Sequence, residues 1–372
     1  MKTEIIHQGN RSQIDEAALR GVQTLQGGGL VGFATETVYG VAAMAELPDA
    51  MERLRILKDR PKRPFSVHMG LPQDVRRYVA DVPPDAQRLM DRAWPGPVTL
   101  VLPVGQRLAD DALQEQGLYD VLCSEGTIGL RCPSAALSRR MLSLAAGPVV
   151  ASSANLAGGR SATGAKDALE TLDGKIDLLI DSGQTRYAKD STIVQFAAGG
   201  GWKILREGVV DEPTIAELTS KTVLFVCTGN TCRSPIAEGL AKMMLAARLG
   251  CHSDELQRRG YRVLSAGVVA ANGARATPEA VEAAAELGAD ISNHRSTSLT
   301  GKLASSADIL LCMSPMHVDE VRRIAPSAAE RAALLDESEA IPDPLGGGSG
   351  LYRQTARHIA RALGRRLEKG QL

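Results

Sequence analysis

The sequence predicts an α/β protein built from more than one domain. At 372 residues the chain is longer than a single hydrophobic core usually organises, which indicates two or three domains. In the second half, short apolar runs typical of buried strands alternate with amphipathic helical stretches, and this alternation predicts a doubly wound parallel sheet. Hydrophobic residues make up 44% of the chain, which is ample for packed cores.

Charge and cysteine usage argue against several classes of protein. The 43 basic and 43 acidic residues cancel, so no overall positive field favours tight nucleic-acid binding. The 6 cysteines show no framework spacing and no Cys-x-x-Cys pair, which argues against a zinc site and suits free thiols in a reducing cytoplasm. The first residues lack an apolar signal core, and no apolar run approaches the ~18 residues of a membrane span. We therefore expect a cytoplasmic protein without membrane contact.

In the first half of the chain, predicted strands run into small polar residues. Strands are predicted over residues 30–34, 97–103, 127–133 and 148–151, and Asp49 is expected to cap a helix. The last of these strands continues into Ser152, Ser153 and Asn155. Small polar residues at the end of a buried strand are typical ligand contacts in α/β folds, but they are also ordinary turn formers.

A basic loop follows the predicted helix. Its sequence, KDRPKRP from Lys58 to Pro64, places four cations beside two prolines that restrict the backbone. A charge cluster is usually a solvated loop, whereas cations held on a restricted backbone can clamp a polyphosphate. Composition alone gives these two interpretations equal weight.

Seven segments in the same order resemble the YrdC-like family of threonylcarbamoyl-adenylate synthases, over about residues 13–210. They are TETVYG, KDRPKRPFSVH, WPGPVTLVL, IGLRCP, SSAN, DSTIV and ILREG. The resemblance implies a twisted mixed sheet and the condensation of L-threonine, bicarbonate or CO2, and ATP into threonylcarbamoyl-AMP with release of pyrophosphate. A downstream transferase then passes the threonylcarbamoyl group to tRNA, and direct contact of this chain with tRNA is expected to be weak or transient at most.

The same resemblance implies a set of site residues. ATP is expected to contact Lys58, Arg60, Lys62, Ser153, Asn155 and Arg206, and threonine is expected to contact Thr35, His68, Arg131 and Ser191. Mg²⁺ is expected with ATP, although the sequence offers no dedicated carboxylate cage for it. The alternative is that this domain only binds RNA or a nucleotide and catalyses nothing.

In the second half, an unbroken apolar run at residues 223–226 predicts a strand buried on both faces. Ser234 is expected to be the N-cap of the following helix, with Pro235 in its first turn. Thr277 is expected to cap another helix, and further strands are predicted at 263–264, 309–313 and 334–335.

The loop between the first strand and helix, Cys227 to Ser234, has the composition of an anion site. Backbone N–H groups at a strand-to-helix turn converge on one point, where the helix dipole adds positive potential. Such a position is expected to lower the pKa of the Cys227 thiol. Arg233, separated from Cys227 by five residues, offers a planar fork that matches phosphate oxygens.

This loop resembles that of the low-molecular-weight protein phosphatases, whose pattern is Cys, five residues, Arg, then Ser or Thr. The resemblance implies that Cys227 is the nucleophile, that Arg233 holds the phosphoryl oxygens and that Asp343, in Asp343-Pro344, is the general acid and base. Asn230 and Ser234 are implied to fix the loop and stabilise the thiolate. The loop is completed by Thr228, Gly229, Thr231 and Cys232, and no metal or cofactor is implied.

The sequence leaves three interpretations of the phosphoryl substrate open. Thr231 stands where tyrosine phosphatases of this family often carry a bulky apolar residue, and CTGNTCRSP resembles the protein-arginine phosphatase branch. We therefore favour phosphoarginine over phosphotyrosine. Arsenate reductase is the third interpretation, and it needs a further cysteine pair that is missing downstream.

We also hypothesise that Cys232 forms a protective disulfide with Cys227. A Cys232→Ser enzyme that peroxide inactivates reversibly, as it does the wild type, would count against this hypothesis.

The two resemblances place the domain boundaries. We expect the synthase-like domain at residues 1–210, a linker at 211–221 and the phosphatase domain at 222–372. A phosphorylated protein is the partner expected for the second domain.

Overall fold

A computed structural model describes residues 2–9, 11–60, 63–156 and 158–372. The chain divides into two units, Met1–Thr219 and Ser220–Leu372. This division falls inside the segment expected to be the linker, which holds a helix of the first unit and the start of the central strand of the second.

The first unit contains eleven strands and eight α-helices among the residues that the structure describes, with one 3-10 helix at Pro72–Arg77. The strands are β1 (Glu4–His7), β2 (Val31–Ala34), β3 (Tyr39–Met44), β4 (Ser66–His68), β5 (Val98–Pro103), β6 (Cys123–Ser124), β7 (Thr127–Arg131), β8 (Val149–Ser153), β9 (Leu178–Asp181), β10 (Thr192–Phe196) and β11 (Trp202–Arg206). The helices are α1 (Arg11–Gln26), α2 (Pro48–Lys58), α3 (Pro84–Ala93), α4 (Asp111–Glu115), α5 (Leu118–Leu122), α6 (Ala136–Leu144), α7 (Ala165–Leu172) and α8 (Glu212–Thr219).

These strands form one mixed sheet in the order β1-β9-β2-β3-β8-β4-β7-β5-β10-β11, with β6 beside β7. Parallel pairs such as β4–β7 alternate with antiparallel pairs such as β4–β8, so the expected mixed sheet is confirmed. Neighbouring residues of β3 serve opposite faces: Val41 packs with Met51 and Leu54 of α2, and Ala42 packs with residues of α1 and α6. Both faces of the sheet are therefore covered by helices.

The second unit is a smaller sheet between helices. Its strands are β12 (Lys221–Cys227), β13 (Tyr261–Gly267), β14 (Ile309–Cys312) and β15 (Ala332–Leu334), and its helices are α9 (Arg233–Leu249), α10 (Pro278–Ala285), α11 (Gly301–Ser306), α12 (Pro315–Ile324) and α13 (Ser349–Glu368). The order is β13-β12-β14-β15, and every pair is parallel, as predicted. Val223 and Phe225 pack in one core and Leu224 in the other, so β12 is buried on both faces.

Helix starts were predicted less well than strands. Thr277 caps α10 as expected, because its hydroxyl accepts a hydrogen bond from the Ala280 N–H. The predicted caps at Asp49 and Ser234 are wrong: α2 begins at Pro48, and α9 begins at Arg233. The Ser234 hydroxyl has partners inside the neighbouring loop instead, described below. None of the described helices has both the length and the apolarity needed to cross a bilayer.

Candidate active sites

Cys227 is the last residue of β12, the central strand of the second unit. It lies at the edge of the sheet where the parallel strands end. There Cys227 is the register partner of Gly267 on β13. A Cβ on Gly267 would lie 2.5 Å from the Thr228 carbonyl oxygen and 2.8 Å from the Asn230 nitrogen. The loop can therefore close over the end of β13 only because this residue is a glycine.

The Cys227 sulfur is held inside the loop. Its side chain is 2% exposed, and Sγ lies 2.9 Å from the Ser234 Oγ and accepts a hydrogen bond from the Asn230 N–H at 3.2 Å. Helix α9 starts at Arg233 and points its amino end towards this loop. The arrangement presents donors and a helix N-terminus to one small volume, as an anion site requires.

Burial raises the pKa of the Cys227 thiol above its ordinary value. Hydrogen bonds from Ser234 and from the Asn230 N–H, together with the charge of Arg233, act in the opposite direction. The lowered pKa expected from the sequence is therefore wrong for this structure, because the loop removes the sulfur from water more than its donors compensate.

Asn230 connects the loop to two other segments. It is one of the few non-glycine residues with positive φ, at 55°. Its Nδ2 donates to the Ser234 Oγ at 2.9 Å and to the Ser265 Oγ at 2.8 Å, and its Oδ1 accepts from the Thr297 N–H at 2.7 Å. His294 Nε2 lies 2.9 Å from the Asn230 carbonyl oxygen. These contacts hold the left-handed turn in place, since an amide side chain can bridge both donors and acceptors.

Arg233 lies over the same loop. Its side chain is 7% exposed, and Nη2 donates to the Asp343 Oδ2 at 2.5 Å and to the Thr228 Oγ1 at 3.3 Å. Nη1 donates to the Ile341 carbonyl at 3.3 Å. The structure thus brings Cys227, Arg233 and Asp343 together, although Asp343 is more than 100 positions away along the chain.

His317 is a neighbour of the loop that sequence reasoning missed. Its Nε2 lies 3.0 Å from the Thr228 Oγ1, and its Nδ1 lies 2.8 Å from the Ser314 Oγ. Burial, with the charge of Arg233, lowers the pKa of His317 to about 4, so the ring is neutral at pH 7. Its position in the first turn of α12, at the same sheet edge as Cys227, was the available signal.

Cys232 faces a different set of groups. Its Sγ lies 3.4 Å from the Tyr352 hydroxyl and 3.7 Å from the Oγ1 atoms of Thr231 and Thr277. All six cysteines are free thiols, so a disulfide with Cys227 stays a prediction. Cys312, which is wholly buried on β14, is also a free thiol.

The first unit contains a cavity of about 100 Å³ that gathers most of its predicted site residues. The members of the predicted set that line it are Thr35, Arg60, His68, Arg131, Ser153, Ser191 and Arg206. The strand register explains why some of these residues lie together: Arg131 of β7 lies beside His68 of β4 and Thr99 of β5. The Ser191 hydroxyl is hydrogen-bonded to the Thr99 hydroxyl, with 3.0 Å between Oγ and Oγ1.

Arg131 is paired inside the protein. Its Nη2 donates to the Glu36 Oε1 at 2.9 Å and to the Thr37 Oγ1 at 2.7 Å, and its buried Nε has no hydrogen-bond partner among the described residues. Burial would raise the pKa of Glu36, but Arg131 and backbone N–H groups such as that of Ser134 hold it below its ordinary value. Glu36 lies in the TETVYG segment, and its pairing with Arg131 is a contact that sequence reasoning missed.

His68 is a neutral residue of the cavity wall. Its side chain is buried, and its Nδ1 lies 3.1 Å from the Ser66 carbonyl oxygen. Burial, with the nearby charge of Arg131, lowers the pKa of His68 to about 3. The ring can therefore accept or donate a hydrogen bond but brings no charge to the cavity at pH 7.

Two of the arginines that line the cavity, Arg60 and Arg206, influence each other's charge. Burial and the charges of Arg63 and Arg206 lower the pKa of Arg60, whose guanidinium lies 5.5 Å from the centre of the Phe65 ring. Arg206 also donates to the Ser191 carbonyl at 3.0 Å. Like charges that act on one another at a cavity are typical of a site that binds a polyanion.

Lys58 and Asn155 hold the loop that follows β8, next to the cavity. Lys58 Nζ donates to the Ser153 carbonyl at 2.8 Å and to the Asn155 Oδ1 at 3.0 Å, and it also contacts the Asn155 carbonyl. Burial, with the charge of Arg60, lowers the pKa of Lys58 to about 8. Lys62, the remaining member of the predicted ATP set, lies outside the described residues.

Among the described residues that line the cavity, Asp190 carries the carboxylate. It accepts a hydrogen bond from the Ser161 hydroxyl at 2.9 Å and lies 3.9 Å from Arg206. One carboxylate fits Mg²⁺ that is held mainly by phosphates and water. A second group of possible ligands, Asp336, Glu339 and His358, lies in the other unit, but Asp336 is already paired with Arg365 at 2.6 Å.

A buried strand that ends in a cysteine loop with an arginine over it defines the second unit as a phosphate-loop protein of the cysteine-dependent kind. Comparison with known proteins agrees. The family profile described as low molecular weight phosphotyrosine protein phosphatase matches residues 222–370, and the Sua5/YciO/YrdC profile, described as telomere recombination, matches residues 23–208. The chain belongs to the Sua5/YciO/YrdC family in its first half and to the low-molecular-weight phosphatase family in its second.

Individual relatives match each half separately. A threonylcarbamoyl-AMP synthase of Pyrococcus abyssi is 30% identical over 60% of this chain and 65% of its own length. A protein-arginine-phosphatase of Bacillus subtilis is 37% identical over 40% of this chain and 97% of its own length. A probable low-molecular-weight protein-tyrosine-phosphatase, EpsP, of Ralstonia solanacearum is 40% identical over 33% of this chain and 78% of its own length. The chain spans 65% and 51% of the length of the archaeal and Bacillus synthases that it matches.

Proposed function

We propose that the chain is a bifunctional enzyme. Its first unit condenses L-threonine, bicarbonate and ATP into L-threonylcarbamoyl-AMP and pyrophosphate, with Mg²⁺ accompanying ATP. Its second unit removes the phosphoryl group from a phosphorylated protein without a metal or cofactor. The adenylate supplies a downstream transferase that modifies tRNA, and both reactions take place in the cytoplasm.

One observation carries the synthase proposal: seven predicted residues from distant parts of the chain line a single cavity. The reaction requires a carbamate oxygen in line with the α-phosphorus of ATP and neutralisation of the leaving pyrophosphate. Arg60 and Arg206 supply positive charge for the phosphates. Thr35 and Ser191 supply hydroxyls for threonine, and Arg131 contributes the donors that Glu36 does not occupy.

A product assay tests the proposed synthase activity of the first unit. The protein is incubated with labelled threonine, bicarbonate and ATP, and we expect pyrophosphate and the labelled adenylate only when all three are present. Arg60→Ala is expected to lose the product, while the exposed Arg107→Ala serves as a matched control. Nucleotide binding without pyrophosphate release would show a non-catalytic module and contradict the proposal.

One observation carries the phosphatase proposal: Cys227 Sγ lies within the loop that Arg233 covers, with Asp343 bonded to that arginine. In the first step the Cys227 thiolate attacks phosphorus, a sulfur–phosphorus bond forms, and the bond from phosphorus to the leaving atom breaks. The Asp343 carboxyl donates its proton to the leaving atom. Water then attacks the phosphocysteine and the sulfur–phosphorus bond breaks, Asp343 takes a proton from that water, phosphate is released, and the Cys227 thiolate is restored.

Thr231 supports phosphoarginine as the favoured substrate and phosphotyrosine as the next. It is half-buried within the nucleophile loop, and its Oγ1 lies 3.5 Å from the position that a Cβ on Gly229 would take. A small hydroxyl side chain leaves room for a phosphoguanidinium and can hydrogen-bond it, whereas a large apolar residue would block it. The named relatives include phosphatases of both kinds.

Turnover of matched phosphoarginine and phosphotyrosine peptides, measured side by side, tests this preference. We expect a higher kcat/KM for phosphoarginine in the wild type. Thr231→Ile is expected to reverse the preference, and Thr231→Ser, which keeps the hydroxyl, is expected to retain it. A wild type that prefers phosphotyrosine would overturn the choice of substrate but leave the phosphatase assignment intact.

A further inference from the structure

His317 is a fully buried histidine that contacts the phosphate loop, and the mechanism proposed above gives it no part. Its Nε2 lies 3.0 Å from the Thr228 Oγ1, and its Nδ1 lies 2.8 Å from the Ser314 Oγ. A buried imidazole in this place either supports the fold alone or fixes a group that the substrate contacts. The direction of each hydrogen bond distinguishes these two roles.

The Thr228 hydroxyl is shared between His317 and Arg233. Arg233 Nη2 lies 3.3 Å from the Thr228 Oγ1, and because a guanidinium can only donate, the threonine oxygen accepts this bond. The hydroxyl hydrogen of Thr228 then needs an acceptor, and the His317 Nε2 is the other partner that the structure shows for this oxygen. These partners assign a lone pair to Nε2 and the ring hydrogen to Nδ1, which donates to the Ser314 Oγ.

Two further observations agree with this assignment. Burial and the charge of Arg233 lower the pKa of His317 to about 4, so a neutral ring with one hydrogen is present at pH 7. Ser314 directly precedes α12, where a serine usually accepts a hydrogen bond from a backbone N–H of the first turn. Its side chain makes no such bond to the described helix, and its hydroxyl accepts from the His317 Nδ1 instead.

This chain of hydrogen bonds controls the orientation of the Arg233 guanidinium. Of the two hydrogens on Nη2, one is directed to the Asp343 Oδ2 and the other to the Thr228 Oγ1. When a phosphoryl group replaces Asp343, Thr228 and the Ile341 carbonyl remain to hold the guanidinium. A Thr228 hydroxyl that rotated would turn its own hydrogen towards Nη2 and lose this bond. His317 prevents that rotation because it accepts the hydrogen.

We propose that His317 is a positioning residue of the phosphatase site, which acts through the Thr228 hydroxyl to hold Arg233 in the orientation that binds phosphoryl oxygens. The proposal rests on the phosphatase function proposed above. His317 itself does not touch the phosphoryl group, and no proton passes through it during the reaction. Its contribution is therefore to the binding of phosphoryl groups, in substrate, transition state and product alike.

Substitutions of His317 test whether an acceptor at the position of Nε2 is needed. His317→Leu removes it, and we expect kcat/KM for p-nitrophenyl phosphate to fall by about 10-fold, the scale of a hydrogen bond to a charged group. Most of the loss is expected as a rise in KM and in the inhibition constant of inorganic phosphate, because Arg233 binds both ligands. His317→Gln can place its Oε1 near the position of Nε2, and it is expected to recover most of the loss.

A double-mutant cycle tests whether His317 acts through Thr228. Thr228→Val keeps the shape of the side chain but removes the hydroxyl, and it is expected to weaken phosphate inhibition at least as much as His317→Leu does. The double variant is expected to be no weaker than Thr228→Val alone. Effects that add in the double variant would mean that His317 acts by another route, and they would overturn the proposal.

Ser314→Ala provides a test that leaves the buried ring in place. It removes the acceptor of Nδ1, and we expect a smaller loss of phosphate inhibition in the same direction. This variant keeps the proposal testable if His317→Leu does not fold, since wild-type phosphate inhibition in both Ser314→Ala and His317→Gln would then leave only Thr228→Val with a defect, and that result would overturn the proposal.

His358→Leu is the matched control, because His358 is also a buried, hydrogen-bonded histidine of this unit but contacts Asp336. It is expected to lower the free energy of unfolding and to leave KM and phosphate inhibition unchanged. A His317→Leu variant that lowers only kcat, as a smaller folded fraction would, contradicts the positioning role but leaves the phosphatase function intact. A wild type that hydrolyses no phosphoryl compound removes that function and this inference together.

Discussion

Asp343 accepts a hydrogen bond from Arg233 at 2.5 Å, and the two side chains differ sharply in exposure, with 46% of Asp343 and 7% of Arg233 accessible. The arginine is fixed by two further hydrogen bonds, to Thr228 and to the Ile341 carbonyl. The carboxylate is thus the freer partner of the pair. Phosphoryl oxygens that bind Arg233 would replace this carboxylate and leave it beside the leaving atom, where a general acid is needed.

This pairing leads to the first prediction. Asp343→Asn removes the exchangeable proton but keeps the shape and an oxygen for Arg233, so we expect kcat for phosphopeptides to fall by ~100-fold or more with little change in KM. Asp319→Asn, an exposed change on α12, is the control and is expected to be neutral. Equal rates for Asp343→Asn and wild type would mean that another group protonates the leaving atom.

The buried pair of Glu36 and Arg131 leads to the second prediction. Glu36→Gln leaves the Arg131 charge without a buried counter-charge, so we expect threonylcarbamoyl-AMP synthesis to fall by at least about 10-fold. Turnover of p-nitrophenyl phosphate by the same chain is expected to be unchanged, and it serves as an internal control for protein quality. Unimpaired synthesis in this variant would show that the pair is not needed to shape the cavity.

The low pKa of Lys58, about 8, predicts a pH dependence of ATP binding. The ammonium is charged below that pH and loses its proton as the pH rises through it, so ATP affinity is expected to fall between pH 7 and pH 9. Titration calorimetry at several pH values measures this. Lys58→Gln is expected to bind ATP more weakly and to lose this part of the pH dependence. A Lys58→Gln profile parallel to that of the wild type would assign the dependence to another group.

Asp336 predicts how the stability of the second unit depends on pH. The carboxylate is buried and bonded to Ser338, His358 and Arg365, which hold its pKa well below the usual range. A lowered folded-state pKa contributes stability above the unfolded-state value near pH 4 and loses it as the pH falls further. Asp336→Asn is therefore expected to reduce the free energy of unfolding by about 2 kcal/mol at pH 7.

Denaturant unfolding at pH 7 and at pH 3 checks this last expectation. The difference between wild type and Asp336→Asn is expected to shrink at the lower pH. Asp254→Asn, at an exposed position of the same unit, is the control. If the difference in the free energy of unfolding between wild type and Asp336→Asn stays constant with pH, the variant loses stability through altered packing and not through the carboxylate charge.

Much of this protein could be predicted from local sequence patterns. The apolar run of β12, the alternation of strands and helices, and the spacing of Cys227 and Arg233 all depend on neighbours in the chain, so they could be recognised before the structure. Strand β3 was missed because its residues overlap a segment that was interpreted only as a ligand motif. The predicted cap at Ser234 was wrong because its hydroxyl bonds the Cys227 sulfur and the Asn230 amide.

The remaining features depend on residues far apart in the chain. His317 reaches Thr228 across 89 positions, and Arg131 reaches Glu36 across 95. Such partners are set by strand order and register, which no local spacing contains. The direction of the Cys227 pKa shift could not be predicted from the sequence either, because it depends on how far the closed loop excludes water from the sulfur.

The central claim is that the Cys227 sulfur attacks phosphorus, and a rapid acid quench during turnover tests it most directly. Mass spectrometry of the quenched protein is expected to find one phosphoryl group on the peptide that contains Cys227 in the wild type, and none in Cys227→Ala, which is also expected to be inactive. A phosphoryl group on a different residue, or continued turnover by Cys227→Ala, would contradict the account.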